Sequence, residues 1–372
     1  MSGADFEQYL IQGEPSRKQK AEAWQTAVGL QAVDGLTPSE YLYETARQHI
    51  EGDITIDDVK ARIDSYYKSK SVRTDVEQDR TEEADKVSAR IAELLGEKAF
   101  SFTPNELVRI HRHLFTGIYK FAGRIRNYNI TKKEWVLDGE TVQYASAYSI
   151  MDTLEYDISQ ERAFSYEGLT VEQSINHICR FIASLWQIHP FGEGNTRTTA
   201  VFLMKYLSNF GFKVNEEAFA KNSWYFRNAL VRANYTDIQR GIHSTYEPLE
   251  RFMKFLLLGE NTDLRNRTLH IRAIELGNLK VHDEPIKLEI KVQNESINSL
   301  ADAQATLSMT LSLQELAVTK AIAANTSVTL DQLASLTGKS RSTVKRIVGV
   351  LKDKGILDRE GARKNGRWIL KS

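Results

Sequence analysis

Apolar residues recur at three- and four-residue steps along most of this chain, the spacing of one buried helix face. Ile175, Ile178, Ile182 and Leu185 mark a helix over 171–188, and Val201 to Leu207 lies in another over 197–210. Between them His189 to Arg197 breaks the pattern, which predicts a loop opening onto the N-terminus of the second helix. The same periodicity predicts helices over 74–98, with Val76, Ala84, Val87, Ile91 and Leu94 inward, and from Pro104 through Ile118, with Thr103 as N-cap and Pro104 at the first position. Further helices are expected over 41–50, 55–67, 145–162, 222–235, 247–258, 313–323, 330–336 and 340–352. Two stretches depart from helical spacing. Trp135-Val136-Leu137, then Asp138-Gly139, then Thr141-Val142 predicts a β-hairpin with an Asp-Gly turn. Ile356–Glu360 and Arg367–Leu370 predict two short strands around a basic loop.

The fold class expected is therefore mainly α. Four segments follow from shifts in pattern: a small helical module over 14–68, a helical domain with one hairpin over 72–260, a polar linker over 261–306, and a C-terminal domain over 307–372. Helix, helix-turn-helix and two strands give that last segment the order of a winged-helix domain.

Charge narrows the choice of partners. Lys plus Arg and Asp plus Glu each total 49 in 372 residues, so the chain as a whole has no bulk attraction for nucleic acid or membrane. Cys179 is the single cysteine, which excludes an intrachain disulfide or a thiolate metal cluster. No apolar run approaches a membrane span, and Met1 to Leu10 lacks the basic-then-apolar order of a secretory signal. A cytoplasmic protein with no membrane partner is expected, unless a secretion signal of another kind is present.

The loop reads His189-Pro190-Phe191-Gly192-Glu193-Gly194-Asn195-Thr196-Arg197. A helix N-terminus supplies unpaired N–H groups and positive dipole charge, a ready anion site. Gly194 lets backbone approach a ligand closely. Glu193 beside a bound phosphate makes sense mainly with a bridging Mg²⁺. Arg197 can grip phosphate oxygens, and His189 has the pKa range to take a proton from a hydroxyl. Such a set suits nucleotidyl or phosphoryl transfer. Each part alone has a structural explanation: a His-Pro pair usually shapes a turn, and Phe191 is best read as a core anchor. No phosphate-loop motif, G-x-G-x-x-G after a strand, or His-Glu-x-x-His occurs.

As a whole, His189-Pro190-Phe191-x-Glu193-Gly194-Asn195-x-Arg197 resembles the signature of the Fic family, the adenylyltransferases of the Fic/Doc fold. Ile110 to Phe115 and Phe121 to Arg126 resemble the family's segment before its target-docking flap, and Leu137, Asp138 and Gly139 fall where that flap lies. The resemblance covers about 72–260. It implies an ATP- and Mg²⁺-dependent enzyme that moves AMP to a Tyr, Thr or Ser hydroxyl of a target protein or of itself. By the same resemblance His189 is the general base and Glu193 holds the metal. Gly192, Gly194, Asn195, Thr196 and Arg197 contact the nucleotide, Asn195 and Arg197 with catalytic weight, and Asn234 contacts the nucleoside. The flap would align the target by strand addition.

Two departures bear on regulation. Thr196 stands where the family has Gly, or Lys in the phosphate-transferring branch; Ala200 stands where many members carry a second arginine. In the family that arginine grips the γ-phosphate and pairs at rest with an inhibitory Glu. Residues 21–68 resemble the antitoxin partner of some Fic proteins. Its Ser/Thr-x-x-x-Glu-Gly motif corresponds here to Leu30, Asp34 and Gly35. With both ends altered, the inhibitory clamp is expected to be weakened or lost, or Asp34 to be a mere helix-end carboxylate.

At the C-terminal end Lys339, Arg341, Lys345, Arg346, Lys352, Lys354, Arg359, Arg363, Lys364, Arg367 and Lys371 face only Asp353, Asp358 and Glu360. That excess suits DNA phosphates, with Ser340, Arg341, Ser342, Thr343, Lys345 and Arg346 leading the candidate recognition helix. A protein-docking domain with a solvated basic face is the other reading. The chain is thus expected to be an adenylyltransferase with a docking or DNA-binding appendage. The competing expectation is a DNA-binding regulator whose Fic core senses nucleotide or modifies only itself. Transfer of another phosphate-containing group stays open, as does a homodimer.

Overall fold

The computed structural model describes residues 6–69, 76–212, 217–260, 262–272, 311–361 and 366–371. The linker expected over 261–306 lies outside these residues except for 262–272, as do Arg363 and Lys364 of the basic loop. Contacts divide the chain into two compact units.

The first unit holds the described residues up to Ala163, Cys179–Lys205 and those of 215–277. It opens with α1 (Glu7–Gln12) and α2 (Pro15–Gly29), the latter entered by a proline at its first position. A 3-10 turn, Leu30–Asp34, continues α2 and stops at Gly35 in the left-handed region, φ 65°. Helices α3 (Glu40–Glu51), α4 (Ile56–Ser69) and α5 (Val76–Gly96) follow. Ser39 caps α3 by accepting from Leu42 N–H, and its own N–H donates to Asp85 Oδ1 at 2.8 Å. Tyr67 donates to Asp85 Oδ2 at 2.7 Å. Asp85 is wholly buried, so this one carboxylate binds α3 and α4 to α5 by satisfied polar contacts.

Helices α6 (Pro104–Phe115), α7 (Ile150–Ala163), α8 (Val171–Ile188), α9 (Asn195–Ser208), α10 (Glu217–Ala233) and α11 (Glu247–Leu258) complete the helical set around the loop. The N-terminal helices pack directly on it. A Cβ at Gly29 would lie 2.3 Å from Ala220, and Ser223 donates to Gly29 O at 2.7 Å, so α2 and α10 cross at backbone contact. Trp24, Leu30, Phe219, Phe226 and Phe252 are fully buried in this core.

The hairpin expected around 135–142 does not form: no residue of this stretch is in a strand. Trp135–Leu137 is a 3-10 turn. The reason is burial. Val136 and Leu137 are adjacent and both fully buried, whereas a strand sends neighbours to opposite faces. A helical turn points both inward. The Asp-Gly signal itself holds, with Asp138 at φ 58° and Gly139 at φ 90°. Glu134 N–H still bonds Glu140 O across the loop at 2.9 Å.

The second unit contains Phe164–Ile178, the described residues of 206–214 and the C-terminal run from 311. In that run α12 (Leu313–Ala324) and α13 (Leu330–Thr337) each begin with a capping box, Ser312 with Glu315 and Thr329 with Gln332. Helix α14 (Arg341–Asp353) is capped by Ser340. Strands β1 (Leu357–Glu360) and β2 (Arg367–Leu370) pair antiparallel, Leu357 opposite Leu370 and Glu360 opposite Arg367. Trp368 anchors the ribbon, its indole donating to Val328 O at 2.7 Å.

Candidate active site

The loop between α8 and α9 is fixed from three sides. Phe191 is buried and stacks on His111 of α6, ring centroids 3.7 Å apart. His111 Nδ1 accepts from Gly123 N–H at 2.8 Å, so its Nε2–H donates to Glu193 O at 3.0 Å. Burial holds this imidazole neutral, its pKa lowered to about 4. Asn195 spends its whole side chain on the loop: Oδ1 accepts from Phe191 N–H and Nδ2 donates to Phe191 O. What Asn195 can offer a ligand is its backbone N–H at the start of α9. Gly194 sits at φ 78°, and a Cβ there would fall 2.4 Å from the Phe115 ring. Gly192 faces Tyr128, whose hydroxyl would meet an added Cβ at 2.8 Å.

His189 ends α8 with φ 50°, an uncommon conformation for a non-glycine residue and one that frees the ring from the helix. The ring is buried, with Tyr144 4.2 Å away between centroids and Trp186 edge-on at 5.1 Å. Nδ1 lies 3.2 Å from Trp186 O, a carbonyl that can only accept. In the neutral ring the proton is therefore on Nδ1 and Nε2 carries the lone pair. Burial pushes the pKa well below its ordinary value, and Lys132 adds to the push.

Thr196, the departure from the family pattern, accepts the Trp186 indole N–H at 3.0 Å. It thereby steadies the same tryptophan whose carbonyl orients His189. Arg197 is fully buried. Its Nε faces Asp34 Oδ2 at 2.8 Å, Nη1 donates to Gln31 Oε1 at 3.0 Å, and Nη2 donates to Glu83 Oε1 at 2.6 Å and Tyr119 Oη at 3.1 Å. Burial opposes its charge, but Asp34, Tyr119 and Glu83 together raise its pKa.

The sequence leads one to expect a weakened or lost clamp; in the structure Asp34 nevertheless lies beside an arginine. Ala200 is wholly buried and has no charge, yet Asp34 does find an arginine, Arg197 instead of a residue at 200. Asp34 is also no mere helix-end carboxylate, because its second oxygen lies 3.2 Å from Arg227. Leu30, in the place of the motif's hydroxyl residue, is core. Gly35 closes the turn, and Arg80 reaches over to donate to both Asp34 O and Gly35 O at 3.0 Å.

Asp34, Gly35, Arg80, Glu83, Lys132, Glu193 and Arg227 help line a cavity of about 620 Å³. Lys132 Nζ stands 2.6 Å from Glu193 Oε2. Glu193 is the carboxylate expected to hold a metal, and it is half-exposed at this cavity. Among the described residues no three acidic, His or Cys side chains gather as a metal site. A lone carboxylate fits a Mg²⁺ ion whose other ligands are phosphate oxygens and water. Asn234 is not among the lining residues. Its amide donates to Ala183 O and Leu230 O.

At the flap, Leu137 is buried and Asp138 pairs with Arg272. Arg126 fastens the flap's two ends to the loop: it donates to Tyr128 O at 2.7 Å, Ala145 O at 2.6 Å and His189 O at 2.7 Å. Arg126 falls in the Phe121–Arg126 segment that the sequence marks, but no role is read for it, and Gln31, Glu83, Lys132 and Arg227 are not singled out by motif. Only their charge or amide in otherwise ordinary segments marks them in the sequence.

On α14, Ser340 Oγ is spent on capping and on the hydroxyls of Ser342 and Thr343, each 2.8 Å away. Arg341 pairs with Asp331 at 2.8 Å and Arg346 with Glu167 at 3.8 Å, both with exposed side chains. Lys345 is exposed.

Residues 101–207 match the model of the Fic/DOC family. The chain is similar to the protein adenylyltransferase VbhT of Bartonella schoenbuchensis, 23% identical over 217 residues, covering 54% of this chain and 44% of that protein. A protein adenylyltransferase of Bartonella henselae is 23% identical over 193 residues, 48% of this chain and 33% of the other. A probable protein adenylyltransferase, y4lH, of Sinorhizobium fredii is 29% identical over 130 residues, 35% of this chain and 64% of the other. The chain thus spans under half the length of the two Bartonella relatives. A crystal structure of a Fic family protein from Desulfovibrio desulfuricans aligns over 99% of this chain and 93% of its own, at 14% identity and a TM-score of 0.36, too slight to carry an argument.

Proposed function

We propose that this chain is a protein adenylyltransferase, moving AMP from ATP to a hydroxyl side chain of a target protein or of itself. The observation that carries the reading is the tautomer of His189: Nδ1–H is committed to Trp186 O, and Nε2 is an unprotonated base beside the N-terminus of α9. A nucleotide sensor has no need of a base held in that state. The target hydroxyl oxygen would attack the α-phosphorus of ATP. The bond from that phosphorus to the oxygen bridging to the β-phosphate would break, pyrophosphate would leave, and the hydroxyl proton would pass to Nε2. The N–H groups of Asn195, Thr196 and Arg197 would receive phosphate oxygens. Glu193 would hold Mg²⁺, which supplies neutralisation of the charge on the phosphates. An extended target segment would lie along 132–142.

The Asp34–Arg197 contact supports a resting site restrained by its own N-terminal segment. Labelled-ATP transfer is the direct test: wild type should label itself or an added lysate, and His189→Ala should lose roughly 10²- to 10⁴-fold. Equal labelling by the two would overturn the assignment.

A second reading concerns the C-terminal unit. Three capped helices and a two-stranded ribbon, with Arg341, Lys345 and Arg346 exposed on α14, favour a winged-helix module that contacts DNA phosphates. If the chain is a regulator of this kind, duplex affinity should fall steeply with salt, and His189→Ala should leave that affinity unchanged.

A further inference from the structure

Both oxygens of the Asp34 carboxylate face guanidinium groups, Oδ1 accepting a hydrogen bond from Arg227 and Oδ2 lying at ion-pair distance from Arg197 Nε without a hydrogen bond. Oδ2 lies 2.8 Å from Arg197 Nε and Oδ1 lies 3.2 Å from Arg227 Nη1. Arg197 belongs to the nonapeptide. Arg227 comes from the middle of α10, where no motif marks it. Its plane is fixed from behind by two bonds to Glu134 Oε2 and Oε1, at 3.1 and 3.2 Å, and by Val33 O at 3.0 Å. Glu134 is almost wholly buried, so it serves as a built-in counter-ion and not as a solvent-facing partner. Two guanidiniums converging on two oxygens of one anion is a geometry that phosphate oxygens satisfy equally well. Position 200 offers no cation, being a buried alanine, so a charge for the distal phosphates has to come from another element.

We propose that Arg227 is a phosphate-binding residue, and that Arg197 and Arg227 together form a bracket for the pyrophosphate end of the donor. Asp34 is the anion that fills this bracket when no donor is present. The proposal deepens the adenylyltransferase reading and rests on it for the identity of the donor. Charge agrees with the assignment. With Asp34 withdrawn, Arg80, Lys132 and Arg227 line the cavity with Glu83 and Glu193, and buried Arg197 is paired with Glu83 and Arg227 with buried Glu134, leaving a small positive balance for an anion that arrives with its metal. With Asp34 in place the balance is spent.

Calorimetric titration of the full chain with magnesium pyrophosphate, and separately with AMP, decides the matter. Asp34→Ala should bind pyrophosphate about tenfold or more tighter than wild type, the gain expected when a charge-assisted competitor is removed. Adding Arg227→Gln with Glu134→Gln, so that no buried carboxylate is left unpaired, should abolish that gain while AMP affinity stays that of Asp34→Ala. Arg227→Lys in the same background should keep part of it. Equal pyrophosphate affinity with and without Arg227, no gain from Asp34→Ala, or a parallel loss of AMP binding would each overturn the bracket. If pyrophosphate follows the expected pattern but no variant transfers or binds the adenylyl portion, the bracket stands and the adenylyltransferase reading fails.

Discussion

Lys132 and Glu193 of the 189–197 loop form an ion pair of 2.6 Å, with Lys132 mostly buried and Glu193 half-exposed. The carboxylate expected to receive a metal is thus already engaged by a cation of the same chain. A divalent ion must displace Lys132, and partly exposed pairs of this kind are worth about 0.2–1 kcal/mol.

Lys132→Ala should therefore lower the Mg²⁺ concentration giving half-maximal nucleotide binding by roughly 1.5- to 5-fold. Titration with Mn²⁺ followed by its electron paramagnetic signal reads this without any turnover. An unchanged midpoint would show that the pair does not compete with metal.

Asp34→Ala removes the carboxylate shared by Arg197 and Arg227. The sequence alone suggests little effect, because Ala200 leaves the acid without its expected partner; the contacts with Arg197 and Arg227 point the prediction the other way. Transfer of labelled AMP at subsaturating ATP should rise by about an order of magnitude, the effect of some 1.4 kcal/mol. No rise would return Asp34 to a purely structural part.

The buried histidines make the protein acid-sensitive. His111 and His49 are each lowered to about 4, mainly by burial, and burial likewise pushes His189 well below its ordinary value. In the unfolded chain all three take up protons near pH 6.5. Between that pH and the folded pKa the unfolded state binds more protons, so stability is full above about pH 6.5 and falls as pH drops toward 4. For His111 the loss is on the order of 3 kcal/mol at pH 4. Tm should be flat from pH 8 to 7 and decline steadily below. The base at His189 should likewise stay competent to well under pH 6.5, with no acid limb in transfer rate near neutrality.

Thr196→Gly restores the residue more usual in the family but leaves the buried Trp186 indole N–H without its acceptor. A buried unsatisfied donor costs about 1–3 kcal/mol, so urea unfolding should shift by that amount. A neutral result would mean that water replaces the hydroxyl.

The sequence made the helical order, the loop and its helix start legible, because long runs of period 3.6 and caps such as Thr103-Pro104 are local signals. The hairpin expectation fails for a physical reason: Trp135 and Val136 are β-favouring residues, but the joint burial of Val136 and Leu137 selects a 3-10 turn. His189, Glu193 and Arg197, the proposed base, metal ligand and phosphate contact, stand in one contiguous motif and are legible as a group. Arg227, Glu83, Lys132 and Gln31 come from four distant segments, and only packing brings them to the motif. Asp34 was visible as a candidate, but its partner was not, since the pairing depends on how α2 crosses α10.

Arg126 ties His189 O, Ile188 O, Tyr128 O and Ala145 O with a single side chain. Its backbone N–H adds a bond to Pro190 O at 2.9 Å. The two ends of segment 128–145 and the backbone of His189, the proposed base, are therefore held by one side chain, so a change at Arg126 reaches the segment and the loop together.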